Sequence, residues 1–434
     1  MARKESSKES GIRSFPRNYW VVIIMEFFER GSYYGVMSIL SVYLVMNAGE
    51  GGIGFSKESV GVIKSTITPI LYILPIISGA IADRYGYRKV LMGAFIVMSI
   101  GYLCSGLATN YTAIFASLLL MVCGAGFFKP IISGTIARTT NEKNSTLGFD
   151  IFYWSINLGA FLFPLILVPI LKEKSYSYIF YMAAIATASL LILNIFIYKE
   201  PARPKNTKPI GQVLKDAILV LKDYRFVVMI AIYSCFWILY FQMFDTVLWY
   251  VKDYVDATPL NNAVNKSLAL FTENPSWTFD VEHVTVINAG VIILLQLIIS
   301  SIVKNTKALP TMIVGIGFGT LGMAILAIST HIWVFMAGIA VFTLGEMTAH
   351  PKFISYVGLI APEDKKALYL GYSFLYGVIG SGVGGILGAT LYVHFVDKLS
   401  NPSLLWLIFS GIGLLTIVGL LFYNKFLVPK NTPH

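Results

Sequence analysis

The sequence predicts an all-α membrane protein, with twelve transmembrane helices in two six-helix bundles, on three observations. Apolar residues fill 56% of the 434 positions and charged residues only 13%, at a mean hydropathy of +0.70. The apolar residues come in runs of about twenty, the length that crosses a bilayer core as a helix. One polar stretch near 199–225 divides six such runs from six. A soluble domain is roughly 45–50% apolar and about a quarter charged. A soluble enzyme, a disordered chain and a disulfide-stapled secreted module are therefore excluded.

The spans are predicted near 18–46, 56–82, 88–108, 111–137, 147–171, 176–198, 226–251, 282–303, 308–329, 332–360, 367–395 and 402–424. This reading makes 1–198 an N-terminal bundle with a short tail, 199–225 a linker and 226–434 a C-terminal bundle. An even number of spans puts both termini on one side, and Lys and Arg select the side. With the N-terminus inside, cytosolic segments hold twenty-three of the 33 Lys and Arg residues, among them Arg3, Lys4, Lys8, Arg13, Arg17, Arg84, Arg88, Lys89, Lys304, Lys307 and Lys430. Lys57, Lys64, Lys172, Lys174, Lys252, Lys266 and Lys398 fall outside, and Arg30, Lys129 and Lys352 are left for the membrane interior. The reading is N-in and C-in.

The basic stretch before the first span reads as a cytosolic tail rather than a cleavable signal, which suits a prokaryotic inner membrane. The linker opens with Pro201, Pro204 and Pro209 and then turns weakly amphipathic. The segment 252–281 is polar and predicted to be partly ordered, with no role assigned. Cys104, Cys123 and Cys235 lie in apolar runs without CxxC spacing and read as small core residues. No nucleotide-binding loop, metal-ligand cluster or catalytic triad is found. The sequence therefore predicts no enzyme, no cofactor and no metal, and the net charge of +10 is read as topology rather than nucleic-acid binding. Two six-helix halves around a central site suit alternating access.

A charge at the bilayer centre costs at least ~2.5–3.5 kcal/mol, so charges kept there mark a polar cavity or pathway. The first span carries Glu26-Phe-Phe-Glu29-Arg30-Gly-Ser-Tyr33-Tyr34-Gly35. Glu26, Glu29 and Arg30 fall at i, i+3 and i+4, on one helical face that Tyr34 continues. Two carboxylates around one guanidinium leave a residual acid, whose protonation can follow ligand or pH; the alternative is a static, self-neutralising network. The loop Gly79-Ala-Ile-Ala-Asp83-Arg84-Tyr-Gly86-Tyr-Arg88-Lys89 resembles the signature of the major facilitator superfamily. That resemblance implies a gating role for Asp83 on the cytosolic side.

The string in the first span resembles the E-x-x-E-R-F-x-Y-Y-G signature of the proton-dependent oligopeptide transporter family, with Gly31 in place of the usual Phe. The likeness continues in Tyr72-Ile-Leu-Pro75, Gly124-Ala-Gly126-Phe-Phe-Lys129-Pro130, Phe152-Tyr153-Trp-Ser-Ile156-Asn157-Leu-Gly159, Ile287-Asn288 and Gly345-Glu346-Met-Thr-Ala-His350-Pro351. It implies proton-coupled uptake of di- and tripeptides by a protein that works as a monomer in the lipid bilayer. Arg30 and Lys129 then face the peptide carboxylate, with Tyr34 donating a hydrogen bond. Glu346 faces the amine, Asn157 and Asn288 the peptide backbone, and Tyr72 and Tyr153 line the pocket. Glu26, Glu29, Arg30 and Glu346 carry proton coupling, and Lys129 and Glu346 gate by pairing across the empty cavity.

The chain also departs from the family in the first, seventh, tenth and eleventh spans. Its Arg after Tyr-Tyr-Gly is Met37 here, and its acid in F-W-x-x-x-[E/D]-Q is Phe241. Both ends of an outer-gate ion pair are apolar together, so a hydrophobic outer gate at Met37 and Phe241 is expected. Asp245, one turn beyond Phe241, and Lys64 are a candidate substitute pair. In the eleventh span Ser373 and Gly377 make a smaller wall. His350 and Lys352 are also unusual, and His350 is expected at the cytosolic vestibule. Two alternatives stay open: the same fold carrying another zwitterion or exporting its cargo, and a non-transporting sensor.

Overall fold

The computed structural model describes residues 11–141, 143–201 and 209–428. Arg3, Lys4, Lys8, Pro204 and Lys430 lie outside them. Among the described residues the regular structure is helical, apart from one isolated bridge between Asp256 and His331. The helices are α1 (Arg17–Val45), α2 (Lys57–Tyr85), α3 (Tyr87–Leu107), α4 (Tyr111–Thr139), α5 (Ser145–Lys172) and α6 (Ser177–Ile197). The short α7 (Ile210–Leu221) precedes α8 (Tyr224–Phe241), α9 (Thr246–Tyr254) and α10 (Thr258–Leu268). There follow α11 (Glu282–Val303), α12 (Ala308–Leu326), α13 (Ile332–Ile360), α14 (Lys366–Tyr372), α15 (Leu375–Tyr392) and α16 (Pro402–Phe426).

Eleven helical stretches of the described residues are long and apolar enough to cross a membrane. The predicted twelfth is α1, whose 29 residues are interrupted by Glu26, Glu29 and Arg30. Large apolar side chains such as Ile185, Phe196, Leu294, Leu297 and Leu415 are exposed, which an aqueous solvent penalises and lipid does not. This is a multi-pass membrane protein. The seventh predicted span is not one rod: a 3-10 turn at Gln242–Phe244 separates α8 from α9. The polar segment after it is ordered around α10. Asn265 both donates to and accepts from the Trp277 backbone, and Asn261 accepts from the Phe279 amide. Bonds from Thr258 hold the neighbouring Asp256 carboxyl below its usual range.

By packing, the chain forms two compact units: Met1–Val36 with Ile70–Ala217, and Met37–Pro69 with Ile218–His434. In the first unit α3 lies along α4 and α6. Pro130 inside α4 removes the amide that would bond the Gly126 carbonyl. Ser78 Oγ of α2 takes that carbonyl at 2.9 Å, so the freed acceptor is satisfied within the membrane. Gly86, at φ +100°, makes the tight turn between α2 and α3. In the second unit α12 lies along α13 and α16, and α8 along α15 and α16. Its core is aromatic, with Tyr233 stacked on Phe353 at 3.9 Å between ring centroids.

Gly31, the departure from the family signature, has a packing cause. A Cβ at Gly31 would strike the ring of Phe163 in α5, and one at Gly159 would stand 2.6 Å from the Phe27 carbonyl oxygen. The two glycines let α1 and α5 touch along their backbones, and Phe163 fills the space that a phenylalanine at 31 would claim. Gly31→Phe is therefore expected to overpack this contact and destabilise the unit by roughly 1–3 kcal/mol. Adding Phe163→Ala should recover most of the loss in thermal unfolding of the detergent-solubilised protein.

Candidate functional site

In the first unit the site begins on α1. The Arg30 guanidinium chelates Glu29, with Nε 2.5 Å from Oε2 and Nη2 2.7 Å from Oε1. Glu26 Oε1 is farther from Nε, at 3.6 Å. All three side chains are buried. The tight partner is thus the sequence neighbour, not the residue one turn away that helical spacing favours. Glu26 is the residual acid, because its Oε2 is buried with no hydrogen-bond partner among the described residues. The guanidinium also stands 4.8 Å from the Tyr33 ring centroid, and Tyr34 is half-buried beside it in sequence.

Lys129 projects from α4 half-buried, with Nζ 5.4 Å from the Tyr72 ring centroid. No carboxylate of the described residues lies within ion-pair distance of it, so its ring contact leaves the charge without an anion. Asn157 is buried and donates to the Tyr153 carbonyl of its own helix at 2.9 Å, while Tyr153 itself is exposed. Sequence reasoning missed Tyr102 of α3. It is fully buried within electrostatic reach of Glu29 and Arg30, and a tyrosine in an apolar helix reads only as core.

The loop after α2 staples four helices of this unit. Asp83 pairs with Arg138 of α4 at 2.7 Å, and Arg138 stands over the Tyr87 ring. Arg88 donates to the Asn194 and Ile195 carbonyls of α6. Glu200 accepts the first amides of α3, from Tyr87 and Arg88, at 2.8 Å each. An acid on free amides at a helix N-terminus is favourable.

In the second unit Glu346 Oε2 accepts from Asn288 Nδ2 at 3.0 Å, and the same amide donates to Thr343 Oγ1 at 2.9 Å. Thr343, a bridging residue, was not foreseen. No Lys or Arg among the described residues lies within ion-pair distance of Glu346. His350 follows one turn along α13. Its ring centroid lies 5.3 Å from Trp237 and 5.6 Å from Tyr376, and its Nδ1 lies 3.5 Å from the Tyr233 hydroxyl. That places it in an aromatic cluster. Lys352 is buried and extends to the Thr306 carbonyl in the loop before α12, at 2.7 Å.

Met37 and Phe241 are both buried, and Phe241 packs on Trp237 and Tyr240. Lys64 Nζ lies 3.2 Å from Asp245 Oδ1, so the substitute pair is present as a contact. Ser373 bonds back to the Leu370 carbonyl where α14 gives way to α15.

Residues 20–272, more than half of the chain, match the family model of the Major Facilitator Superfamily. The chain belongs to the major facilitator superfamily. An uncharacterised transporter of Bacillus subtilis (strain 168) is 34% identical over 195 residues, 44% of this chain and 39% of that one. The dipeptide and tripeptide permease B of Photorhabdus luminescens is 30% identical over 235 residues, 53% of this chain and 46% of that one. The chain thus covers less than half the length of either relative. The fold of this superfamily member is similar to that of a solved peptide transporter POT in complex with sulfate, at TM-score 0.79 and 18% identity, covering 98% and 97% of the two chains. A POT family transporter in complex with 5-aminolevulinic acid aligns at TM-score 0.77 and 22% identity, covering 97% and 99%.

The α1 geometry separates its two acids. Glu29→Gln removes the chelating partner of a buried guanidinium and is expected to cost about 3–5 kcal/mol. Glu26→Gln, which removes the loosely held acid whose second oxygen has no donor among the described residues, should cost less, about 0.5–1.5 kcal/mol. Unfolding of the two variants in detergent, side by side, reads the difference.

Proposed function

We propose that this protein is a proton-coupled importer of di- and tripeptides, of the proton-dependent oligopeptide transporter branch, working by alternating access. One observation carries the reading: the two units hold opposite, incompletely neutralised charges. The first presents Lys129 without a carboxylate partner and Arg30 beside it in function. The second presents Glu346 held by an amide and no cation. A zwitterionic peptide supplies what each lacks, its carboxylate to Arg30 and Lys129 and its amine to Glu346.

In this reading Tyr34 donates to the carboxylate, Asn157 and Asn288 meet the peptide backbone, and Tyr72 and Tyr153 wall the pocket. Asn157 and Asn288 exchange their present partners for the ligand. Glu26 takes the proton in the first unit, because its second oxygen lacks a donor, and Glu346 takes it in the second when no amine is bound. Glu29 keeps Arg30 in place throughout. Asp83 holds the cytosolic loop closed or open through Arg138, and Met37 with Phe241 forms an apolar outer gate. The bundles 1–198 and 226–434 are the moving halves, joined by 199–225. The excess of Lys and Arg on the loops of the N-terminal side supports N-in, C-in orientation in a prokaryotic plasma membrane, with the monomer in lipid as the working form.

The motif series and the similarity to permeases described as carrying dipeptides and tripeptides support this substrate class. A second reading keeps the fold and carries another zwitterionic metabolite. It is favoured by the small Ser373 and Gly377 wall and by the similar transporter solved with 5-aminolevulinic acid.

Uptake of dialanine and trialanine into proteoliposomes, with and without an inward proton gradient, tests the proposal. The expected result is concentrative uptake that requires the gradient. Lys129→Ala and Glu346→Gln should each lower it by about thirty-fold or more, the cost of unpairing a buried charge. Gradient-independent uptake sinks symport, and uptake of neither peptide sinks the substrate class.

A further inference from the structure

We infer that α7, in the stretch that joins α6 to α8, is an in-plane membrane anchor. It seats Ile218 and Leu219 among the acyl chains and sets Lys215 and Lys222 on anionic phospholipid headgroups. The inference rests on the faces of one helix and does not depend on the cargo.

The 12 residues of α7 are too few to cross a bilayer. A surface helix bathed in water turns its apolar residues inward and its charges outward. The second half of α7 does the reverse. Ile218, Leu219 and Leu221 are 57%, 51% and 51% exposed, whereas Asp216 and Val220 are buried. Gln212 donates to Asp216 Oδ1 at 2.9 Å, from one turn back on the same helix. With the acid turned in and the aliphatic side chains turned out, the medium on the outer side is not plain water.

The exposed side is also ordered in charge. Lys215, Ile218, Leu219 and Lys222 fall at i, i+3, i+4 and i+7, one stripe along the helix, and all four are exposed. The two lysines end the stripe roughly 10 Å apart, with the apolar pair between them. Asp216, the acid of α7, is turned away from it. Asp223, just beyond, is engaged elsewhere. Its Oδ1 accepts the Arg225 and Phe226 amides that open α8, and its Oδ2 accepts the Tyr369 hydroxyl. Aliphatic side chains flanked by ammonium groups on long stems match the boundary between acyl chains and phosphates. The stems lie along apolar surface and the heads reach the anions.

The chain holds α7 near the depth where that boundary lies. The α8 span starts at Tyr224, which is exposed and accepts from Arg225 Nε at 3.2 Å. An aromatic ring with a cation beside it is the usual marker of a membrane–water interface. Three peptide links separate Leu221 from Tyr224, so the two lie within roughly 11 Å of each other. At the other end of the stretch, the Lys199 amide and carbonyl both bond the Asn18 side chain at the start of α1. Glu200 accepts the first amides of α3. Both ends of the stretch are thus fixed at helix ends, beside the bilayer that α6 and α8 cross. The bilayer is the apolar neighbour already present, and the lysines add the preference for anionic headgroups.

The depth of a probe tests this. Ile218→Cys, in a chain with Cys104, Cys123 and Cys235 changed to serine, is labelled with the fluorophore NBD. The full chain is reconstituted in vesicles of phosphatidylcholine alone, or of phosphatidylcholine and phosphatidylglycerol in equal parts. Quenching by nitroxide-bearing lipid is then compared with quenching by acrylamide in the water. In the mixed vesicles the lipid quencher is expected to act severalfold more strongly than acrylamide, and more strongly than it does in phosphatidylcholine alone. Lys215→Glu with Lys222→Glu changes two exposed positions and should bring the mixed vesicles down to the phosphatidylcholine level. Lys215→Arg with Lys222→Arg should keep the difference. Acrylamide acting more strongly in both vesicles overturns the anchor. Protection from both quenchers also overturns it, since a second copy or another protein then covers this face. Equal lipid quenching in both vesicles, unmoved by the charge reversal, overturns the headgroup assignment.

Discussion

Everything else in this protein is arranged around one constraint: an ionised side chain inside an apolar solvent needs a partner that travels with it. The chain obeys it in three ways. Arg30 is chelated by its own neighbour Glu29, which offsets part of its charge before any ligand arrives. Lys64 and Asp245 neutralise each other between helices. Lys129 and Glu346 are treated differently, since one rests on a tyrosine ring and the other on an asparagine amide. The first two arrangements are structural, and in the proposed function the third keeps a cost in reserve that a zwitterion would remove on binding.

The same constraint governs the backbone. A proline in a membrane helix frees a carbonyl that lipid cannot satisfy. At Pro130 the answer is Ser78, a hydroxyl from the neighbouring helix. At Gln242–Asp245 the helix is broken outright, and the Gln242 amide caps the Gly384 carbonyl across to α15. Both irregularities sit beside a charged residue, Lys129 next to Pro130 and Asp245 at the break. Local distortion and buried charge occur together because each needs polar partners that a regular apolar helix does not supply.

Most of the architecture was legible from composition, because long apolar runs with basic loops have few alternatives in a bilayer. Helix α1 was legible despite its charges, which is why it falls short of a purely apolar span. The break in the seventh span was not legible, since Val247-Leu248-Trp249-Tyr250-Val251 continues the apolar run without a proline or glycine to mark it. The residue types of the candidate site were legible, but their pairing was not. Helical spacing favours Glu26 as the partner of Arg30, whereas side-chain torsions bring Glu29 to it. The partner of Lys352, the Thr306 carbonyl, was not legible for a related reason, since sequence gives the place of its Cα and not of an ammonium at the end of four methylenes. Tyr102 and Thr343 gave no signal, because a lone hydroxyl in an apolar helix is indistinguishable from core packing. Gly31 became intelligible only with Phe163 opposite it.

The central claim is that the charges left incompletely neutralised in the two units recognise the two ends of one zwitterion. Calorimetric titration of the purified protein with dialanine, its N-acetylated form and its C-amidated form tests this directly. The account predicts binding of the free dipeptide, with affinity about thirty-fold or more lower for each capped form. Loss from the N-acetyl cap should vanish in Glu346→Gln, and loss from the amide cap should vanish in Lys129→Ala. Equal affinity for free and capped dipeptides would contradict the claim.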